Sequence, residues 1–401
     1  LNDIPWAFFF SGTDVYVGGQ FMDVNNSGTP IPEADYLAKW DGNNWSAIGS
    51  NGAGDGAITS KGGSFIFAFA MQGSNLFAGG MFFDLNNGGT VFPQADYLAK
   101  WDGVNWSSLG TAANGALVGG YANNQVYAIA VIGTDLYVGG RFTNISNHGV
   151  NIPAGDYIAK WDGANWSALG SNGAGDGAFF NSVFALAVIG TDLYVGGQFS
   201  NVNNNGTSLP AADYIAKWDT LTNTWSALGS NGAGNGSLSA SGFVNTLAVS
   251  GTDLYVGGQF TNVNNGGTSI PEADYLAKWN TLTGNWSALG SNGAGDGVLN
   301  AQVATLAFGS LGELYVGGIF TNAATIPEAD YLAKWNAGSW SALGSNGAGD
   351  GALNNGVLAL GINGLNVYAG GFFSNVNNNG TVLNSADYIA KWDGANWSAL
   401  G

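Results

Sequence analysis

The sequence contains no cysteine, one histidine, eight prolines and only nine lysines and arginines among its 401 residues. Without cysteine there is no disulfide, no thiolate nucleophile and no zinc–sulfur centre. The compartment stays open on this ground, because an oxidising environment permits disulfides without requiring them. Charged residues make up 9% of the chain, against about 25% in an ordinary soluble protein. Glu, Lys and Arg are strong helix formers, and their scarcity argues against a mainly helical fold. Disorder is also excluded, since 45% hydrophobic and 13% aromatic content can bury a large core. The net charge of −18 repels phosphate backbones and anionic headgroups, which argues against nucleic-acid and membrane-surface binding. No apolar run approaches the roughly 20 residues of a membrane-spanning helix. The chain starts at Leu1 with no basic-then-apolar leader, as expected of a processed protein or a segment of a longer one.

What is abundant is glycine (67) and tryptophan (15), and both recur at a period. Asp-Tyr-Leu/Ile-Ala-Lys-Trp appears at Asp35–Trp40, Asp96–Trp101, Asp156–Trp161, Asp213–Trp218, Asp274–Trp279, Asp330–Trp335 and Asp387–Trp392. A Gly-Gly pair precedes each copy, from Gly18-Gly19 to Gly370-Gly371, and a second Trp followed by Ser closes each one, from Trp45 to Trp397. Fourteen of the fifteen tryptophans belong to these pairs, leaving Trp6. The units lie about 53 to 61 residues apart, near the spacing of propeller blades once loops are allowed for.

Each unit reads as four short strands. In the fourth, Val183–Val188 turns at Gly190-Thr191-Asp192 into Leu193–Phe199, an Asn- and Gly-rich loop spans Asn201–Ala212, and Tyr214–Trp218 and Trp225–Leu228 follow. Strands of this length joined by such turns form an antiparallel meander. The expected fold is all-β: one seven-bladed β-propeller of four-stranded antiparallel blades, at about 1–49, 50–110, 111–170, 171–229, 230–290, 291–344 and 345–401. Leu1–Phe10 supplies the first strand of the first blade and Trp397–Leu400 the last strand of the seventh. Every blade is then continuous in sequence, and the ring closes by packing blade seven on blade one without exchanging a strand. The inter-blade segment and the Asn-rich loop are expected together on one wide, acidic face.

Gly-Gly after the second strand, Tyr in the third, then a turn and Trp opening the fourth resembles the kelch pattern, most closely at Trp218-Asp219-Thr220-Leu221-Thr222-Asn223-Thr224-Trp225. The combination of Tyr-Val-Gly-Gly-Gln-Phe with Ile-Ala-Lys-Trp-Asp-Gly-Ala-Asn-Trp-Ser-Ala-Leu-Gly is similar to repeats of bacterial secreted surface proteins and of fungal Rax2-type proteins. The resemblance covers the whole chain and implies a propeller at the cell surface or outside the cell. Kelch repeats often carry Arg or Lys where this chain has Asp and Asn. Galactose oxidase contains a related seven-bladed domain, but its radical cofactor joins Tyr to Cys and uses His ligands. With no Cys and only His148, copper oxidase chemistry is excluded here.

Near-identical units repeat every polar side chain around the ring, whereas catalysis needs a unique cluster, so no catalytic residue is expected. The recurring charges pair Asp with Lys at Asp35 and Lys39, Asp96 and Lys100, Asp156 and Lys160, Asp213 and Lys217, Asp274 and Lys278, Asp330 and Lys334, and Asp387 and Lys391. They read as a structural network in which carboxylates, with a further Asp such as Asp41, hold a half-buried lysine whose stem packs on Trp. Two loop motifs are candidates for binding. Ser-Asn-Gly-Ala-Gly-Asp-Gly places Asp55, Asp176, Asp296 and Asp350 as candidate Ca²⁺ ligands, by oxygen chemistry alone. The Asn-rich loop offers Asn203, Asn204, Asn205, Asn264, Asn265, Asn377, Asn378 and Asn379 to sugar hydroxyls or a neighbouring subunit.

Polar residues that break the symmetry are His148, Arg141, Lys61, Tyr121 and Glu313. Blades one and two carry extra aromatics, Trp6, Phe8, Phe9, Phe10, Phe65, Phe67 and Phe69, with Met71, Met81, Phe82 and Phe83 nearby. A docking surface for another domain or copy is expected there, to be lost on changing Phe82 and Phe83 to Ser. The functional expectation is a non-catalytic extracellular or cell-surface module for protein interaction or self-association. The alternative is a glycan-binding or Ca²⁺-dependent adhesion module.

Overall fold

The computed structural model describes residues 1–58, 63–110, 116–117, 124–238 and 242–401; Lys61 and Tyr121 lie outside them. Among the described residues the strands form seven four-stranded antiparallel sheets, each in the sequential order first to fourth. In blade four they are Val183–Ile189, Asp192–Gly197, Ile215–Asp219 and Thr224–Ala227. The first strands line the axis and each touches the next, with Pro5–Ser11 packed on Val357–Asn363 to complete the ring. Every blade is continuous, and no strand is exchanged at closure. This is a seven-bladed β-propeller.

Two glycines make the close approach between blades. A Cβ on Gly317 would fall 2.7 Å from Val357 Cγ1 of the following blade, and one on Gly370 would fall 2.6 Å from Pro5 Cγ across the closure. The second glycine of each pair faces a carbonyl at, or one residue before, the start of its own first strand, where the ladder carries a bulge. The bulge is present in all seven blades. It takes one residue per blade out of the pairing and aims it at the axis.

The paired tryptophans are the inter-blade mortar. The two rings of each blade lie near each other, 4.9 Å apart for Trp218 and Trp225. The second indole N–H donates to the carbonyl of the Leu, or its equivalent, in the previous blade's Ala-Leu-Gly, one residue before its end. Trp225 Nε1 reaches Leu169 O at 2.8 Å, Trp106 reaches Ile48 O at 2.9 Å, and Trp45 closes the circle on Leu400 O at 3.0 Å. All seven indoles are used in this way.

The strands depart from the sequence reading in two places. The third strand starts after the tyrosine, because Tyr36, Tyr97, Tyr157, Tyr214, Tyr275, Tyr331 and Tyr388 all have φ between 61° and 65°. Such angles are costly for a bulky residue. They are imposed by bonds on both sides: Tyr214 N donates to Phe199 O, and Gly197 N donates to Tyr214 O. Second, the Asn-rich loop is a two-stranded hairpin in six blades, Val202–Asn204 with Thr207–Leu209 in blade four. Its Asn205-Gly206 turn has φ of 50° and 92°, the geometry that suits a tight hairpin. In blade six, where the segment is shorter, Ala323–Thr325 forms a 3₁₀ turn instead.

The hairpin lies along the blade's outer edge. Asn204 Oδ1 accepts from Trp225 N at the head of the fourth strand, while Asn203 N donates to Ala178 O of the inter-blade segment. Hairpin and inter-blade segment therefore bind each other, and the exposed edge of the fourth strand is protected.

Candidate functional site

The recurring charges separate into two structural devices. Lys39 Nζ lies 3.1 Å from Asp14 Oδ2, Lys160 3.0 Å from Asp135, Lys217 2.9 Å from Asp192 and Lys278 3.0 Å from Asp253. The partner is thus the aspartate that opens the second strand, and the expected pairing with Asp35, Asp156, Asp213 and Asp274 is corrected. The cause is the left-handed tyrosine, which turns the preceding aspartate out of the strand's alternation. Blades two and seven carry Asn75 and Asn366 at the partner position, and blade six carries Glu313.

The aspartate before each tyrosine instead caps the residue that enters the hairpin. Asp35 Oδ1 accepts from Asp23 N at 2.8 Å, and the same bond recurs at Asp96, Asp156, Asp213, Asp274, Asp330 and Asp387. Burial, with the Asp55 carboxyl alongside, pushes Asp35 up to about 6. Burial likewise raises Asp274, which faces Asp296. The aspartate that follows Lys-Trp in five blades, replaced by Asn280 and Asn336 in the others, holds the outer turn, Asp219 Oδ1 accepting from Leu221 N and Thr222 N. Those two bonds hold its pKa below the ordinary carboxylate value.

The two candidate binding loops are largely engaged in the fold. Asn51 Oδ1 accepts from Ala53 N and Asp55 N, and Asn172 and Asn346 treat Asp176 and Asp350 alike. Asp296 N donates to Asn292 Oδ1. Among the described residues no group of three or more His, Cys, Asp or Glu side chains converges. Asn203 and Asn377 accept from their own hairpin glycines, while Asn265 and Asn378 hold Trp286 and Trp397. Asn205 and Asn379 supply left-handed turns. Asn264 differs in lining, with Asp213, Asn235 and Asn262, a cavity of about 490 Å³.

The asymmetry lies at the axis. The bulged residues are Trp6, Phe67, Tyr127 and Phe184 in blades one to four, then Asn245, Ala304 and Leu358, and all but Tyr127 border a central cavity of about 270 Å³. Ring contacts of 5.3 to 6.5 Å run without a break from Phe372 through Trp6, Phe67, Tyr127 and Phe184 to Phe243. Phe65 stacks on Phe67 at 5.6 Å. At the end of this arc Phe372 is exposed, as is Ile319, which with it borders Gly356, and Met81, opposite Phe65, is half-buried. Phe82, by contrast, is fully buried and occupies the core position of Phe21 and Phe142. Half-buried Phe83 packs edge-on against Tyr97. The expected docking residues Phe82 and Phe83 are therefore replaced by the arc, whose signal was the departure from the repeat at one strand position.

A second asymmetry sits between blades three and four. Arg141, the chain's sole arginine, lines a cavity of about 460 Å³ with Asn124, Tyr127, Tyr157, Asn181, Phe184 and Gln198. Burial raises the phenols of Tyr127 and Tyr157, so both remain protonated, although Arg141 opposes the shift. His148 is remote in function, an exposed hairpin-turn residue whose Nε2 lies 2.9 Å from Ala164 O.

No family model matches the sequence, and no curated protein matches it. Among solved structures the chain is similar to the extracellular domain of the hybrid two-component system BT4673 from B. thetaiotaomicron, with TM-score 0.52 and 10% identity over 97% of this chain and 38% of that one. A one-component-system version of that extracellular domain gives TM-score 0.51 and 10% identity over 91% and 37%. This chain spans less than two fifths of either. The WD40 β-propeller domain of Doa1 is similar over 98% and 93%, with TM-score 0.45 and 9% identity. At such identities the likeness is one of fold. Among the described residues no helix is long and apolar enough to cross a membrane.

Proposed function

We propose that this propeller is a non-catalytic interaction module, placed outside the cell or on its surface, that docks a protein through the axial mouth bordered by blades six, seven, one and two. The observation that carries the reading is the apolar arc of Phe372, Trp6, Phe65 and Phe67, with exposed Ile319 beside Phe372 at Gly356. Aromatic residues and methionine are the types enriched at protein interfaces, and Met81 stands opposite Phe65 in the strand pairing. The recurring carboxylates, amides and indoles serve the blades' own hydrogen bonds, which supports a binding role over catalysis. Extracellular placement and kelch-like kinship rest on the repeat's resemblance to secreted surface proteins.

A protein surface is tested by sedimentation of the purified chain and by a photo-crosslinker at position 372 on intact producing cells. We expect either concentration-dependent self-association or one dominant crosslinked partner, in both cases abolished by Phe372→Ser with Ile319→Ser. A monomer at every concentration together with no crosslinked protein would remove the reading.

A further inference from the structure

We propose that the cavity between blades three and four is a separate binding site for a carboxylated sugar, with its carboxylate on Arg141. The cavity of about 460 Å³ falls within the range of small-ligand sites. Arg141 makes no ion pair among the described residues, while four of the lysines are paired with aspartate. In a chain of net charge −18, an exposed arginine left without a carboxylate offers its planar fork to one brought by a ligand. The rest of the lining is suited to hydroxyls. Asn181 and Gln198 offer amides that donate and accept, Tyr157 offers a phenol, and Phe184 and Tyr127 present aromatic surface to the ring's C–H face.

The site is also a departure from the repeat. The position of Arg141 is glutamine in blades one, four and five, as Gln20, Gln198 and Gln259, and the Tyr127 position is phenylalanine in the flanking blades two and four. Blade three therefore adds a cation and a hydroxyl at one spot. The hydroxyl of Tyr127 donates to Gln125 Oε1, which fixes it at the cavity wall. The overall negative charge selects against polyanions, so the ligand carries one carboxylate at this seat, as a single uronic acid residue does. An extended peptide is disfavoured because the cavity lies between blades, with no free strand edge to pair with.

The site is tested on the full chain by ligand-observed NMR titration with methyl glucuronide and methyl galacturonide, against methyl glucoside and N-acetyl-glutamate amide. Saturable binding of a uronide is expected, about tenfold or more tighter than the glucoside. Arg141→Gln should weaken the uronide by a similar factor without unfolding, since glutamine stands there in three blades. Trp6→Ala should leave uronide binding unchanged, which separates this site from the docking surface proposed above. No saturable uronide binding at roughly 10 mM, or binding indifferent to Arg141→Gln, would overturn the site. Preference for N-acetyl-glutamate amide would overturn the sugar in favour of an acidic peptide.

Discussion

The indole of Trp45 donates to the carbonyl of Leu400 at 3.0 Å, across 355 positions of sequence. It repeats the bond that Trp225 makes to Leu169 inside the ring, so closure uses the same chemistry as every other blade junction. Trp45→Phe removes the donor together with part of the buried ring, leaving a carbonyl unpaired and a small void. A loss of about 1–2 kcal/mol is expected, and Trp225→Phe should cost about the same. Urea denaturation of the two variants checks this; a far larger loss for Trp45→Phe would mean that closure is the weak junction.

The glycine pair makes a second test of closure. A methyl on Gly370 would sit 2.6 Å from Pro5 Cγ and 3.1 Å from the Phe8 ring, and a proline ring cannot swing aside. Gly370→Ala should destabilise by about 1–3 kcal/mol through overpacking. Gly364 has a φ of 62° with open space around it, so Gly364→Ala tests backbone strain alone, at about 1–2 kcal/mol. Thermal melting should rank Gly370→Ala as the equal or greater loss, with aggregation if the first and last blades part.

The blades were legible because Asp-Tyr-Leu/Ile-Ala-Lys-Trp and Gly-Gly recur in fixed order, and the phase of the repeat made each blade continuous. The Asn205-Gly206 turn between Val202 and Leu209 is also a hairpin signal, masked by the surrounding asparagines and glycines that favour loop. The left-handed tyrosine was not legible, since residue type argues against it and only bonds from Phe199 and Gly197 impose it. That one angle misplaced the lysine's partner. Asp192 stands opposite Asp219 in the register, diagonal to Lys217 opposite Tyr194, a relation that requires the strand pairing to be known. The axial arc required the bulge, which aims Trp6 and Phe67 at the cavity.

The two classes of aspartate should differ in cost. Asp192 and Lys217 are each nearly 30% exposed, and such pairs contribute under about 1 kcal/mol. Asp192→Asn should therefore be mild and should vanish in high salt. Asp213 Oδ1 accepts from Asn201 N at 2.9 Å, and Oδ2 from Gly236 N at 3.3 Å, joining hairpin and inter-blade segment. Asp213→Ala should cost more, about 1–3 kcal/mol, with little salt dependence. Denaturation at low and high salt checks the ranking, and a larger loss for Asp192→Asn would reverse the assignment.

Asp35 gives the chain a pH dependence of defined sign. Its pKa rises from the ordinary 3.8 to about 6, chiefly by burial, with Asp55 opposing ionisation as well. Between those values the native state binds more protons than the unfolded chain. Stability from this group is thus complete below about pH 4 and falls as pH rises through 6. Two units correspond to at most about 3 kcal/mol, shared with Asp55. Asp41 and its relatives act oppositely, since turn amides hold them low, so the clean measurement is a difference. Asp35→Asn keeps an oxygen for Asp23 N and cannot ionise. Relative to this variant, the wild type should lose stability from pH 4 to 6, measured by chemical denaturation across that range. A wild type that gains stability over the window relative to Asp35→Asn would show that the capping bond from Asp23, and not burial, governs the group.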